Sequence, residues 1–461
     1  MFQKFANKKI LILGLGIEGQ NSYKLLRSFF PEKEIGIADI TELKNINPQL
    51  KKDLAKDKKI IYHLGAKYLK NINKYDVIIK SPGIPPSLSE LLRFKKNKNR
   101  IITSQTKIFF DNIKKEKVIG VTGTKGKSTT TSLIYLTLKK AGQKAILIGN
   151  IGIPPLQGLQ KSTKNSIFVF EMSSYQLDTL KISPHISILL NLYPEHLDYH
   201  GSLGNYAKAK KNVFGGQDND DVLIINNRFL DLVPKSLKSK IYVFGLEDNI
   251  RKGCFIRNGY IYFKNNKKEE KIIKTNIVSL IGTFNLQNIM AAIIVCKILK
   301  VDNIHIRKIL KSFKSLPHRL QRIGTYKSIT FFDDSISTIP QATIAAINTL
   351  GEDVETLILG GYDRGLDFTS LSEKIARSKI KNIILFPTSG KRIIKSVLKN
   401  SPSIKYFFVN SMESAIDIAF KNTGKRKICL LSPASPSYGI FKNYKDRGNT
   451  FIKEIKERTQ K

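Results

Sequence analysis

Short apolar runs that close on glycine, serine or aspartate alternate along the chain with stretches in which apolar residues recur every three or four positions. A run that is apolar on both faces fits a buried parallel strand, and the three-to-four spacing fits a helix laid against it. The alternation therefore predicts an α/β protein built from parallel sheets flanked by helices. Three series separate. The first holds "KKILILGLG", "EIGIAD" and "YDVIIKSPGI" and closes near "RIITSQTKIFFDN". The second opens at "KVIGVTGTKGKST" and runs through "KAILIGNIG", "SIFVFEMSS" and "ISILLNLYPEHLDYHG". It then adds a hairpin-like "GCFIRNGYIYFKNN" and two amphipathic helices, roughly Asn285 to Leu299 and Asn303 to Phe313. The third follows "LPHRLQRIG" with "SITFFDDS", "VETLILGGYDRG", "IKNIILFPTSG", "IKYFFVN" and "KICLLSPASPS". No short-period repeat is visible.

At 461 residues the chain has room for about three domains of ordinary size, which matches the three series. No apolar run is long enough to span a membrane, and the start goes from a short polar lead straight into a strand, so a cytoplasmic protein without stable membrane insertion is expected. Cys254, Cys296 and Cys429 lie far apart, which favours neither a disulfide framework nor a zinc site. The formal net charge of +41 raises the question of a polyanion partner. Its lysines, however, are scattered through nearly every segment, as in "KKDLAKDKK" and "NNKKEEKIIK", with no basic helix or arginine-rich tract. A nucleic-acid partner is not expected, although the charge could draw in a polyphosphate.

Candidate chemistry lies where strands end. Gly14-Leu15-Gly16-Ile17-Glu18-Gly19 fits G-x-G-x-x-G after a strand, and Asp39 ends the next strand. Such glycines let a backbone approach a diphosphate at a helix N-terminus, and the acid can accept from a ribose or base. In "VTGTKGKSTT" the glycines Gly123 and Gly126 precede Lys127, Ser128 and Thr129 with only two residues between them, fewer than in the common P-loop. The loop amides, Thr124 included, can still cradle phosphates, with Lys127 as a point charge and the Ser128 and Thr129 hydroxyls available to a metal. Glu171 closes the strand "SIFVFE", and "NLYPEHLDYHGS" brings Glu195, His196 and Asp198 to the same edge.

"GTKGKST", "FEMSSYQL", "NLYPEHLDYHGS", "YAKAKKNVF", "NLQN", "LPHRLQ", "DDSIST" and "LLSPASPSYGIFKNYKDRG" together resemble the Mur ligase family of peptidoglycan precursor synthesis, over essentially the whole chain. The short GLGIEG domain, the "SPGI" stretch and the C-terminal motif resemble its glutamate-adding members. The resemblance implies a Rossmann-like UDP-binding domain over 1–106, a P-loop ATPase-type domain over 107–316 and a Rossmann-like amino-acid-binding domain over 317–461. It implies ATP-dependent ligation of glutamate to UDP-N-acetylmuramoyl-L-alanine through an acyl phosphate, by an enzyme expected to be a monomer. Gly14, Gly16 and Gly19 would meet the UDP diphosphate, Asp39 the uracil, and Ser81, Gly83 and Asn150 the substrate. Lys127 would serve the terminal phosphates, and two magnesium ions would be held by Ser128, Thr129, Glu171 and His196. Lys210 matches a lysine carbamylated by carbon dioxide, which joins the metal residues because a carbamate can ligate or orient near magnesium where an ammonium cannot. Asn285 and Asn288 match adenine-side asparagines, Arg319 an arginine reaching the phosphates, and Asp334 an acid near the ribose. Arg364, Ser437 and Tyr444 match glutamate-contacting positions.

Three positions depart from the pattern. Phe284 stands where a histidine is usual, Arg364 where lysine is frequent, and Ile336 where a lysine pairs with a carboxylate of the incoming glutamate. Isoleucine cannot make that ion pair, so Arg364 is expected to take it over, with the Ser337 and Thr338 hydroxyls open to the same substrate. D-Glutamate is the expected amino acid. An L-glutamate-adding relative, which the DSIST stretch also resembles, is the alternative, and a folylpolyglutamate synthase-like ligase stands behind both.

Overall fold

The computed structural model describes residues 1–46 and 48–459. Two compact units divide the chain, Met1–Asn276 with Gln287–Ile309, and Ile277–Leu286 with Leu310–Lys461. Among the described residues the strands form three sheets, one in each series read from the sequence.

Two of these sheets lie in the first unit. The N-terminal one is fully parallel, in the order Ile60–Leu64, Ile35–Asp39, Ile10–Leu13, Val77–Lys80, Ile101–Thr103. Its central strand is buried throughout, as a strand covered on both faces must be. Register sets Leu13 beside both Ala38 and Lys80, so the glycine turn, Asp39 and Ser81 emerge at one edge. The larger sheet has nine strands, with Val118–Thr122 between Ile186–Leu189 and Ile167–Glu171. Val121 stands opposite Glu171 on one side and Ile188 on the other, which brings the phosphate loop, Glu171 and the segment after Leu189 to a common carboxyl edge. One apolar cluster, from Phe2 and Ile12 to Phe168 and Ile225, joins the two sheets. Edge strands cross into antiparallel pairing at Gly253–Arg257, Tyr260–Asn265 and Lys268–Lys274.

The hairpin read from "GCFIRNGYIYFKNN" is present, but a third strand follows it through a lysine-rich segment that reads from sequence as a solvated face. Both faces of Lys268–Lys274 carry charge, as befits a sheet edge that must resist pairing with other chains. The predicted helices are also present, spanning Thr283–Ile298 and Asn303–Ser312.

In the second unit a six-stranded sheet runs Gln321–Tyr326, Ile329–Asp333, Ile428–Leu431, Val354–Gly360, Asn382–Phe386, Lys405–Phe408, parallel apart from its first pair. Adjacent residues of single strands fall into different cores: Leu357 and Ile383 pack in one, and Ile358 and Ile384 in the other. The sheet is thus covered on both faces.

Candidate active site

The phosphate loop is held open by its own sequence. Gly126 caps the helix Lys127–Lys140 in the left-handed region at φ +86°, and a Cβ there would stand 2.2 Å from the Asn288 Oδ1 atom. Glycine is therefore required twice over, by backbone and by space. Asn191 clamps the loop from the neighbouring strand end, its Oδ1 accepting from the Lys125 amide at 2.8 Å and its Nδ2 donating to the Lys125 carbonyl at 3.0 Å. Thr124 is fixed by a bond from the Tyr193 amide (2.9 Å) and by the Tyr206 hydroxyl (3.1 Å). Lys127 Nζ donates to the carbonyls of Gly123 and Thr124, both at 3.0 Å, so the cation lies over the loop whose amides would receive phosphate. Ser128 and Thr129 begin the helix and are buried.

Around this loop the sheet edge gathers the other predicted groups. Glu171 is buried, and its Oε2 has no hydrogen-bond partner among the described residues. A buried carboxylate oxygen left in this state is costly unless a cation meets it. Asn150, exposed beside it, donates its amide to the Glu171 carbonyl at 3.2 Å. Glu195 pairs with Lys125 at 2.9 Å. Burial works to raise its pKa, but the positive fields of Lys125, His196 and Lys127 outweigh that and hold it down at about 2. His196 sits in the left-handed region at φ 57°, with Nδ1 against the Tyr175 hydroxyl at 2.7 Å. Asp198 is exposed on the short helix that follows.

Lys210 is 1% exposed, on the inner side of the helix Leu203–Lys211. Its Nζ donates to the Gly123 carbonyl at 2.8 Å and lies 4.7 Å from the Tyr206 ring centre. Burial, then the nearby charge of Lys127, pushes its pKa well below the ordinary lysine value. Among the described residues no cluster of three or more His, Cys, Asp or Glu is arranged to hold a metal by itself. Magnesium rarely needs one, since it is commonly held by one or two carboxylates with phosphates and water completing the shell. The orphaned Glu171 oxygen beside the loop fits that donor set.

At the edge of the first sheet a cleft of 380 Å³ is lined by Gly14, Gly16, Glu18, Asp39, Ser81 and Gly83, among others. Gly14 has φ +95°, and a Cβ on it would meet Ser81 at 2.8 Å, while one on Gly19 would strike the Gly14 carbonyl at 1.8 Å. A Cβ on Gly16 or Gly83 would meet nothing within 4 Å among the described residues, so both face open space. Asp39, read from sequence as facing a base, uses its carboxylate to accept from the amides of Leu15 (2.6 Å) and Thr41 (2.8 Å), which shapes the turn.

The second unit holds the remaining predicted residues. Asp334 is buried, accepting from the Leu320 amide and from the Ser337 and Ser432 hydroxyls, and burial raises its pKa to about 6. The Ser337 hydroxyl, left open to glutamate by the sequence, is thus committed inside the protein. Asn285 donates from its side chain to the Ile281 carbonyl, and Phe284 packs against the apolar core. Arg319 is half-buried next to His318, whose Nδ1 meets Asp333 at 2.7 Å. Arg364 is half-buried in a loop fastened by Asp363 to Arg392 at 2.6 Å.

Sequence reasoning missed Arg447. Its buried guanidinium donates to the Ser335 hydroxyl (3.0 Å), the Ser335 carbonyl (2.8 Å) and the Ser435 carbonyl (3.1 Å), tying "DDS" to "SPS". The Tyr362 amide donates to Pro436 at 2.8 Å, so the loops of Arg364 and Ser437 run side by side. Tyr444 joins them through its carbonyl, which accepts from Ser335 at 2.8 Å. The only local signal for Arg447 is the arginine of "YKDRG", which reads like any solvated residue of a charged helix.

Residues 121–296 match the Mur ligase middle domain. The chain is 32% identical to a UDP-N-acetylmuramoylalanine–D-glutamate ligase of Acetivibrio thermocellus over 465 aligned residues, covering 98% of this chain and 97% of that one. Among solved structures it is similar to a UDP-N-acetylmuramate–alanine ligase from Thermotoga maritima, with TM-score 0.59 at 19% identity over 98% of this chain and 100% of that one. It is also similar to a MurF ligase from Thermotoga maritima solved in complex with ADP, with TM-score 0.57 at 16% identity over 97% and 95% of the two chains. With the first of these identities sustained along practically the whole of both sequences, the protein belongs to the Mur ligase family, among its UDP-N-acetylmuramoylalanine–D-glutamate ligases.

Proposed function

We propose that this ATP-dependent ligase joins D-glutamate to UDP-N-acetylmuramoyl-L-alanine in peptidoglycan precursor synthesis. The observation that carries the reading is the cluster at one sheet edge: Lys127 over the phosphate loop, the unpartnered Glu171 oxygen, and Lys210 buried against Gly123. Transfer of a phosphoryl group between two anions needs alignment and charge neutralisation more than a covalent catalyst. Lys127 would neutralise the transferring phosphate, while Ser128, Thr129, Glu171 and His196 would hold magnesium, which lowers the charge on the nucleotide. The carboxylate of the muramoyl-alanine substrate would take the phosphoryl group, and the glutamate amine would displace phosphate from the acyl carbon to leave the amide.

Lys210 suits carbamylation. A neutral amine is the form that adds carbon dioxide, the new N–C bond forming as one proton leaves to solvent. The positive field of Lys127, which disfavours the ammonium, would stabilise the resulting anion. In the N-terminal cleft, Gly16 and Gly83 offer open backbone to the UDP diphosphate, with Ser81 and Asp39 shaping the walls. In the second unit Arg364 would grip a glutamate carboxylate through two hydrogen bonds, in place of the lysine that Ile336 replaces. Asn285, Asn288, Arg319 and Asp334 are assigned to the nucleotide, and Ser437 and Tyr444 to the amino acid.

One observation favours a second reading, addition of L-glutamate: Ile336 stands where the D-glutamate-adding pattern has a lysine for a glutamate carboxylate, in a DSIST stretch that also resembles L-glutamate-adding relatives. Phosphate release, measured with each of the three substrates omitted in turn, tests the main reading. Release that requires all three supports it, and release that requires a folate in place of the UDP substrate overturns it.

A further inference from the structure

Glu18 is an acid of the N-terminal cleft that the proposed reaction leaves unused. It lies in the first turn of the helix Ile17–Phe29 and lines the cleft with Gly16, Ser81 and Gly83. Its Oε1 accepts from Gln176 Nε2 at 2.7 Å. The orientation of that amide is fixed, because the Gln176 Oε1 accepts from both the Ser173 amide (2.9 Å) and the Ser173 hydroxyl (3.0 Å). Oε1 of Glu18 must therefore remain an acceptor, and a proton on this carboxyl belongs on Oε2, which is buried without a hydrogen-bond partner among the described residues. A neutral carboxyl here is a donor lacking an acceptor.

The charged groups around it come from each neighbouring element. Lys80 ends the strand Val77–Lys80 and donates to the carbonyls of Ser81 (3.2 Å) and Ile84 (2.6 Å). Asp178, beyond the helix Ser174–Leu177, acts on Lys80. Asp39 is committed to the amides of Leu15 and Thr41. Gln105, which is neutral, donates to the Glu18 carbonyl at 2.6 Å. Burial pushes Glu18 up to about 7 against the Gln176 hydrogen bond and the field of Lys80, and burial pushes Lys80 down to about 8.

We propose that Glu18 takes up a proton when the cleft binds the UDP diphosphate, because an ionised carboxylate in the wall of the cleft would repel the dianion. The proposal rests on the reading of the cleft as the UDP site. The proton comes from the buffer, and the ligand's diphosphate diester and single carboxylate do not titrate between pH 6 and 8. With the free carboxyl at about 7, binding at pH 7 takes up about half a proton, and affinity falls roughly fivefold from pH 7 to pH 8. Lys80 alone would give less than about twofold over the same interval.

Calorimetry of UDP-N-acetylmuramoyl-L-alanine binding, in buffers of different ionisation enthalpy with a non-hydrolysable ATP analogue present throughout, reads the proton directly. E18Q keeps an acceptor for Gln176 but cannot ionise, so it is expected to bind with little proton uptake and a nearly flat pH dependence. E18A, which loses the acceptor as well, is expected to lose affinity at every pH. Wild-type binding without proton uptake, or uptake undiminished in E18Q, overturns the proposal while leaving the UDP site intact. Failure of the wild type to bind the nucleotide overturns that site and this inference with it.

Discussion

Lys210 Nζ donates to the Gly123 carbonyl at 2.8 Å, so a buried lysine is bonded to the backbone of the phosphate loop itself. Replacing Lys210 by alanine is expected to leave the protein nearly inactive, with partial recovery on adding a small carboxylate such as acetate. Labelled carbon dioxide should give a carbamate carbon signal in the wild type that is absent from Lys210→Ala. Full activity of the variant would mean that this lysine is structural.

Lys127 lies over the same loop, its Nζ 3.0 Å from two loop carbonyls. Lys127→Ala should lower turnover by on the order of a thousandfold while the melting temperature stays close to that of the wild type. Glu171→Ala removes the unpartnered oxygen and should shift the magnesium concentration for half-maximal rate upward. An unchanged magnesium response places the metal elsewhere.

The Asn191 side chain makes both of its loop hydrogen bonds with Lys125. Asn191→Ala should therefore weaken ATP binding by on the order of tenfold, about the worth of one lost polar contact with its pre-organisation. UDP-substrate binding, measured separately, should be unaffected, since the N-terminal cleft does not include this residue.

Glu195 supplies a pH dependence. Its folded pKa is depressed to about 2, so its contribution to stability is fully present above the ordinary carboxylate pKa and is lost as pH falls through about 4 toward 2. Glu195→Gln should melt below the wild type at pH 7, and the gap should narrow progressively in melts taken at pH 5, 4 and 3. A gap independent of pH would show that packing rather than charge holds this side chain.

The alternation of apolar runs made the three sheets legible, because a strand covered on both faces leaves a continuous apolar signature, as in Ile10–Leu13. The edge strand Lys268–Lys274 was hidden for the opposite reason: it carries charge at most of its positions, and its pairing with Tyr260–Asn265 is a matter of backbone. Phosphate-loop residues declared themselves through glycine spacing. Asn191, which clamps that loop, lies in a segment whose histidine and acids draw the eye instead, and no local rule connects it to Lys125 across 66 residues of sequence. Arg447 was opaque in the same way, since its partners Ser335 and Ser435 come from other segments of the chain.

The most direct measurement supplies ATP, magnesium, UDP-N-acetylmuramoyl-L-alanine and equal concentrations of D- and L-glutamate, then counts phosphate against ligated product and resolves the product's glutamate on a chiral column. One phosphate per product, with the D form incorporated and turnover abolished by Arg364→Ala, is the predicted result. Phosphate released without ligated product, or a product containing only the L form, would contradict it.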